Sequence, residues 1–108
     1  MNNVEKSNYV LKLYRREKIK SGGILITDFA WICYINYKPY IVCWKKPDVN
    51  EMLKLCKNYK VNVKVTEETK GYYRIAFEDE DDVIRLVTLL KMLMTYEFEE
   101  ITIAKQRR

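Results

Sequence analysis

From Tyr40 to Ala104 the chain reads as strand, helix, strand, tight turn, strand, helix and strand, with few residues left over. Tyr40 to Lys45 is aromatic and β-branched. Lys46-Pro47-Asp48 opens a helix, and Glu51 stands three residues after Asp48, the spacing of a cap and its reciprocal acid. Val49, Met52, Leu53 and Cys56 fall on one helical face. Val61, Val63 and Val65 alternate with polar residues, as a strand with one buried face does. Glu67 to Gly71 turns the chain, and Tyr73, Ile75 and Phe77 then alternate with Tyr72, Arg74 and Ala76. Asp79 to Asp82 begins a second helix, where acid complements the helix dipole and water solvates it. Val83, Leu86, Val87, Leu90 and Met94 line that helix's buried side, and Glu99 to Lys105 forms a last strand with Ile101 and Ile103 inward. Amphipathic helices between half-buried strands predict an α+β domain: an antiparallel sheet with two helices packed on one face.

The first 39 residues are less constrained. Residues 1–8 are polar and expected to fray. From Tyr9 to Lys20, Val10, Leu13 and Tyr14 fit a helical face with Gly22 as its stop, while Tyr9, Leu11 and Leu13 fit strand alternation equally well. Helix is slightly preferred. Ile24 to Asn36 reads as strand, at least from Phe29 on, and Asn36-Tyr37-Lys38-Pro39 as a turn. A three-residue loop between Asn36 and Tyr40 puts Ile32, Tyr34, Tyr40, Val42 and Trp44 on one side of a hairpin. Trp31, Cys33, Ile35, Ile41 and Cys43 then share the other. Both sides are apolar. One takes the helices, and the other needs cover from residues 9–20 or a partner. Homodimerisation is therefore expected, and the Tyr34/Tyr40/Trp44 face is the candidate surface for a protein partner. The 108 residues make one domain: residues 1–8 frayed, 9–39 an N-terminal extension and hairpin, and 40–105 an α/β core.

Composition narrows the chemistry. The chain has no histidine, which removes the commonest general base and metal ligand. Cys33, Cys43 and Cys56 match no zinc spacing, and an odd count argues against a secreted disulfide framework. In the three-residue-loop register Cys33 and Cys43 lie opposite one another, so a cross-strand disulfide and buried free thiols both stay open. No apolar run approaches the ~20 residues that span a bilayer. The N-terminus carries no apolar leader region, so a cytoplasmic protein is the default expectation. No cofactor or metal is implied. The net charge is +5 and uneven: residues 1–64 hold 13 Lys/Arg against 5 Asp/Glu, and residues 65–108 hold 7 against 10. Lys12, Arg15, Arg16, Lys18 and Lys20 form the densest basic segment, with Lys45, Lys46 and Lys64 beyond it. These are the candidate phosphate contacts.

Lys70-Gly71-Tyr72-Tyr73-Arg74-Ile75-Ala76-Phe77, followed by an acidic helix start, resembles the third-strand motif of the RNA recognition motif family. Lys70, Gly71, Tyr72, Ile75 and Phe77 fit that pattern; Tyr73 stands where Gly or Ala is usual, and Arg74 where an aromatic is usual. The resemblance covers residues 40–104. It implies a ferredoxin-like βαββαβ sheet on which Tyr72 and Arg74 stack bases. In that family the first strand lies between the third and fourth, a place that a short hairpin to residues 29–36 also claims.

A second resemblance keeps both hairpins, in a ββαββα order over residues 22–96. Gly22-Gly23-Ile24-Leu25-Ile26-Thr27-Asp28-Phe29 is similar to a degenerate form of the motif of LAGLIDADG homing endonucleases. It implies a dimeric, metal-dependent DNA nuclease in which Asp28, the candidate catalytic residue, stands at the metal-binding carboxylate position, although Phe29 replaces the motif's Gly. The preferred expectation is non-enzymatic nucleic-acid binding, with the nuclease and a protein-interaction module, such as a viral inhibitor of a host complex, as alternatives.

Overall fold

The computed structural model describes residues 9–69 and 71–102. The fold is α+β: six antiparallel strands with two helices on one face. The strands are β1 (Tyr9–Lys18), β2 (Ile24–Ile35), β3 (Lys38–Cys43), β4 (Val63–Thr69), β5 (Tyr72–Phe77) and β6 (Tyr96–Thr102). Helix α1 (Lys46–Asn58) joins β3 to β4, and α2 (Glu80–Leu93) joins β5 to β6. Lys70 and the residues beyond Thr102 lie outside the described part, as does the segment expected to fray. Ile103, expected to face inward, falls there, while Ile101, also expected inward, pairs with Val10 on the face away from the helices.

The order across the sheet is β4-β5-β3-β2-β1-β6. The ferredoxin-like order is not found, whereas from β2 to α2 the elements run ββαββα, the second order expected, with β1 before it and β6 after it. In a ferredoxin-like sheet the last strand would lie beside β3. Here β2 holds that place, β1 follows it, and β6 is displaced to the outside of β1. Three strands, not a helix and two strands, precede α1. The competition for one slot is resolved by widening the sheet.

Residues 9–18 form a strand, not the helix slightly preferred from sequence. Alternation buries Leu11 and Leu13 together against the helices, and β2 and β6 supply hydrogen bonds to both edges. A helix here would have had neither partner. Tertiary pairing outweighs the modest strand propensity of so charged a segment.

One core lies between the sheet and the helices. Leu11, Leu13, Ile32, Ile41 and Ile75 meet Val49, Met52 and Cys56 of α1 and Val83, Leu86 and Leu90 of α2. Pro47 stands in the first turn of α1, where its missing N–H costs nothing. The expected cap at Asp48 is not formed. Lys45 is the N-cap residue, without a side-chain bond, and Asp48 turns into the structure. For α2 the acidic start is a true capping box: Asp79 accepts from the backbone of Asp81 and Asp82, and Asp82 returns a bond to Asp79 N–H. Asp82 is not solvated. It is fully buried, accepting from Asn62 N–H at 3.0 Å and from Arg85 at 2.8 Å, so it ties the entry to β4 to the helix. Met94, in the left-handed region, ends α2.

Two local features set the registers. The β2–β3 loop has two residues, Asn36 and Tyr37, both at positive φ (53° and 67°), as a type I′ hairpin turn requires. This corrects the three-residue loop and moves β3 by one place, which exchanges its faces. Trp31 pairs with Val42, Ile32 with Ile41, and Cys33 with Tyr40. Pro39 is tolerated because β5 pairs only with Tyr40–Cys43. The second feature is a bulge. Leu13 pairs with Ala30 and Tyr14 with Asp28, leaving Phe29 as the extra residue of β2.

Candidate functional site

One face of the sheet is covered by the helices. Among the described residues nothing covers the other. Register assigns its side chains: Tyr72 and Arg74 on β5, Lys64 on β4, Tyr40 and Val42 on β3, Trp31 and Cys33 on β2, and Lys12, Tyr14 and Arg16 on β1. Trp44, just after β3, closes on Trp31 edge to face at 5.3 Å. The face therefore carries a band of aromatic rings crossed by cations. The Arg74 guanidinium lies 5.3 Å from the centre of the Tyr40 ring, and the Lys12 ammonium 5.1 Å from that of Trp31. Such contacts hold a cation against a ring, and the same rings, with the planar guanidinium, can stack a base.

The basic residues named from sequence separate into two sets. Lys12, Arg16, Lys18, Lys64 and Arg74 lie on the open side with Tyr72, and Lys45 stands at its rim beside Trp44. Lys20 lies in the turn after β1 and is exposed. Two of the open-side cations already have acid partners: Arg16 with Glu97 at 2.9 Å, and Arg74 with Glu67 at 3.3 Å. The Arg74 Nε–H, buried, has no acceptor among the described residues.

Arg15 and Lys46 are on the helix side. Lys46 lies over the ring of Tyr73. Arg15 donates to Asp48 at 2.8 Å and to Glu51 at 2.6 Å, with Phe29 beneath it and Tyr96 donating to Glu51 at 2.6 Å. Burial alone would lower the Arg15 guanidinium's affinity for its proton, but the two carboxylates outweigh it and hold the pKa above its usual value. Burial, then the bond to Glu51, pushes the Tyr96 hydroxyl up. This cluster locks β1 and β6 to α1 and leaves Arg15 no free charge for a phosphate.

Tyr34, placed with Tyr40 and Trp44 by the earlier register, is on the helix side and bonds Glu80. Cys33 and Cys43 lie on opposite faces, and all three cysteines are free thiols. Asp28 is exposed on the open face. Among the described residues no group of three or more His, Cys, Asp or Glu is placed to hold a metal ion, and no helix is long and apolar enough to cross a membrane.

Sequence reasoning missed Trp31, which the wrong loop length had set on the opposite side of the hairpin from Tyr40 and Trp44. Asn36 was the available signal. It is a residue that accepts positive φ, and a two-residue turn starting there returns the correct parity.

Two cavities flank Trp44 and Asp28. One, of about 340 Å³, is walled by Lys12 and Trp31. The other, of about 480 Å³, is walled by Tyr14, Ile26, Lys45 and Asp48. A third, of about 490 Å³, opens on the helix side near Cys56 and Asp79, away from this face. No family model, no curated protein and no solved structure matches the chain.

Proposed function

We propose that the protein is a non-enzymatic nucleic-acid-binding module that lays a single strand across the open face of its sheet. The observation that carries this reading is the coincidence of aromatic rings and cations on the face that no described residue covers, Arg74 on Tyr40 and Lys12 on Trp31. A strand needs both: cations for its phosphates and π-faces for its unpaired bases. Tyr72 and Arg74, the residues carried by the resemblance to RNA recognition motifs, fall within this band. Lys64, Lys18 and Lys20 extend its charge toward two rims.

The test is fluorescence anisotropy of labelled single-stranded RNA and DNA, with duplex DNA as a competitor, over a salt series. Single strands should bind, with affinity falling as salt rises. Tyr72→Ala and Arg74→Ala should each cost about 1–3 kcal/mol. Unchanged affinity in both variants sinks the assignment of these residues.

A second reading is favoured by a different observation. The β1–β2 hairpin runs on past the last β6 pair, Arg15–Tyr96, and past the last β3 pair, Trp31–Val42. Its distal part exposes Ile19, Ile24, Leu25 and Ile26, each more than two-fifths accessible. The outer edge of β2 from Ile24 to Ala30 pairs with no described strand. An apolar strand with one unpaired edge adds readily to another strand. In this reading two copies join arm to arm. Sedimentation velocity over a concentration series should then show a dimer, and Ile24→Lys with Ile26→Lys should return it to monomer. A monomer at every concentration removes this reading.

A further inference from the structure

We infer that the groove around Trp44 and Asp28 is a guanine subsite, in which an unpaired guanine stacks on indole and places its N1–H and N2–H groups on the Asp28 carboxylate. The inference rests on the nucleic-acid reading above and gives it a base preference.

Asp28 reaches this groove because of the bulge. With strict alternation, Asp28 would follow Ala30 to the helix side and Phe29 would face outward. The extra residue puts both Ala30 and Phe29 in the core, fully buried, and turns Asp28 to the open face opposite Tyr14. Bulges re-aim side chains in this way beside binding sites. The carboxylate is exposed, and among the described residues it makes no hydrogen bond or ion pair. It is the shared wall of the two cavities, with Trp44 as the other shared residue. Trp31 stands edge to face against Trp44, so one indole is held for stacking. Lys12 closes one cavity and Lys45 the other, on either side of the acid.

A carboxylate with no ion-pair partner among the described residues repels phosphate, so its favourable contacts with a nucleic acid are with hydrogen-bond donors. Guanine presents two adjacent N–H donors on its Watson–Crick edge, matched to the two oxygens of one carboxylate in a charge-assisted, bidentate pair. Adenine and cytosine set a ring-nitrogen acceptor next to their amine. Uracil and thymine flank a single N–H with two carbonyls. Each of these points a lone pair at Asp28, and the acid discriminates by repulsion as well as attraction. Lys12 and Lys45 are then placed for the phosphates on either side of the stacked base.

The experiment compares labelled oligouridylates, and the matching oligothymidylates, that carry one central guanine, adenine, cytosine or hypoxanthine. The guanine strand should bind about tenfold tighter than the adenine or cytosine strand. Hypoxanthine keeps N1–H but lacks the N2 amine and should fall between them. In Asp28→Ala, shown by circular dichroism to be folded, the guanine-to-adenine ratio should fall to near one. Strands that bind without a guanine preference, or a preference that survives in Asp28→Ala, would overturn the subsite and leave the sheet-face reading standing. No binding of any strand at low salt overturns both.

Discussion

The buried thiols show how a single side chain registers the fold. Burial pushes Cys43 and Cys56 up from 9.0 to about 12, and raises Cys33 as well. A thiol whose folded pKa is raised stays neutral in the folded protein while the unfolded chain ionises. Its contribution to stability is complete below pH 9, the unfolded value, and is lost as pH climbs toward about 12. The raised Tyr96 hydroxyl acts in the same direction above its ordinary value of 10. Denaturant midpoints should therefore fall steadily above pH 9, and the decline should be shallower in a Cys43→Ala, Cys56→Ala double variant than in the parent. Equal slopes for the two proteins would show that these thiols are not held neutral. At this scale the sequence was half legible. Cys56 is core as its helical stripe implied. Asp48 and Glu51 carried the spacing of a cap but serve Arg15, a partner 33 and 36 residues away that no local pattern could reveal.

Among the elements, the second half of the chain was the more readable. In β4, β5 and α2, local alternation, an acidic cap and a helical stripe agree, except that Met94, expected on the buried side, caps α2 and is exposed. Local consistency of that kind is what a reader of sequence can use. β1 failed the same test. Its charged second half satisfies either period, and only pairing with β2 and β6 decides it. The β2–β3 turn was hidden because its second residue is Tyr37, where a type I′ turn favours glycine. A tyrosine at φ 67° carries backbone strain, and this one is half exposed, so little packing offsets it. Tyr37→Gly should stabilise the protein by ~1 kcal/mol, read from the urea midpoint. A destabilised variant would show that the Tyr37 ring contributes more than its backbone costs. The bulge at Phe29 was not legible at all, because an extra residue has meaning only against the register of a partner strand.

At the scale of the whole molecule, the α+β class with two helices on one face followed from the alternation of periods, and the strand order did not. A hairpin spliced between β3 and β6 cannot be read from any segment on its own. Its consequence is functional. It widens the face away from the helices and carries Lys12, Trp31 and Asp28 onto the same side as Tyr40 and Val42 of β3. It also collects the only two tryptophans of the chain, Trp31 and Trp44, on that face within 5.3 Å of each other. The emission of the protein therefore reports on the proposed binding surface without a label. Titration with unlabelled single-stranded oligonucleotide at low salt should quench or shift tryptophan emission saturably, with a midpoint that rises with salt. Emission that stays unchanged at concentrations where co-sedimentation shows the strand to be fully bound would place the nucleic acid elsewhere and contradict the account.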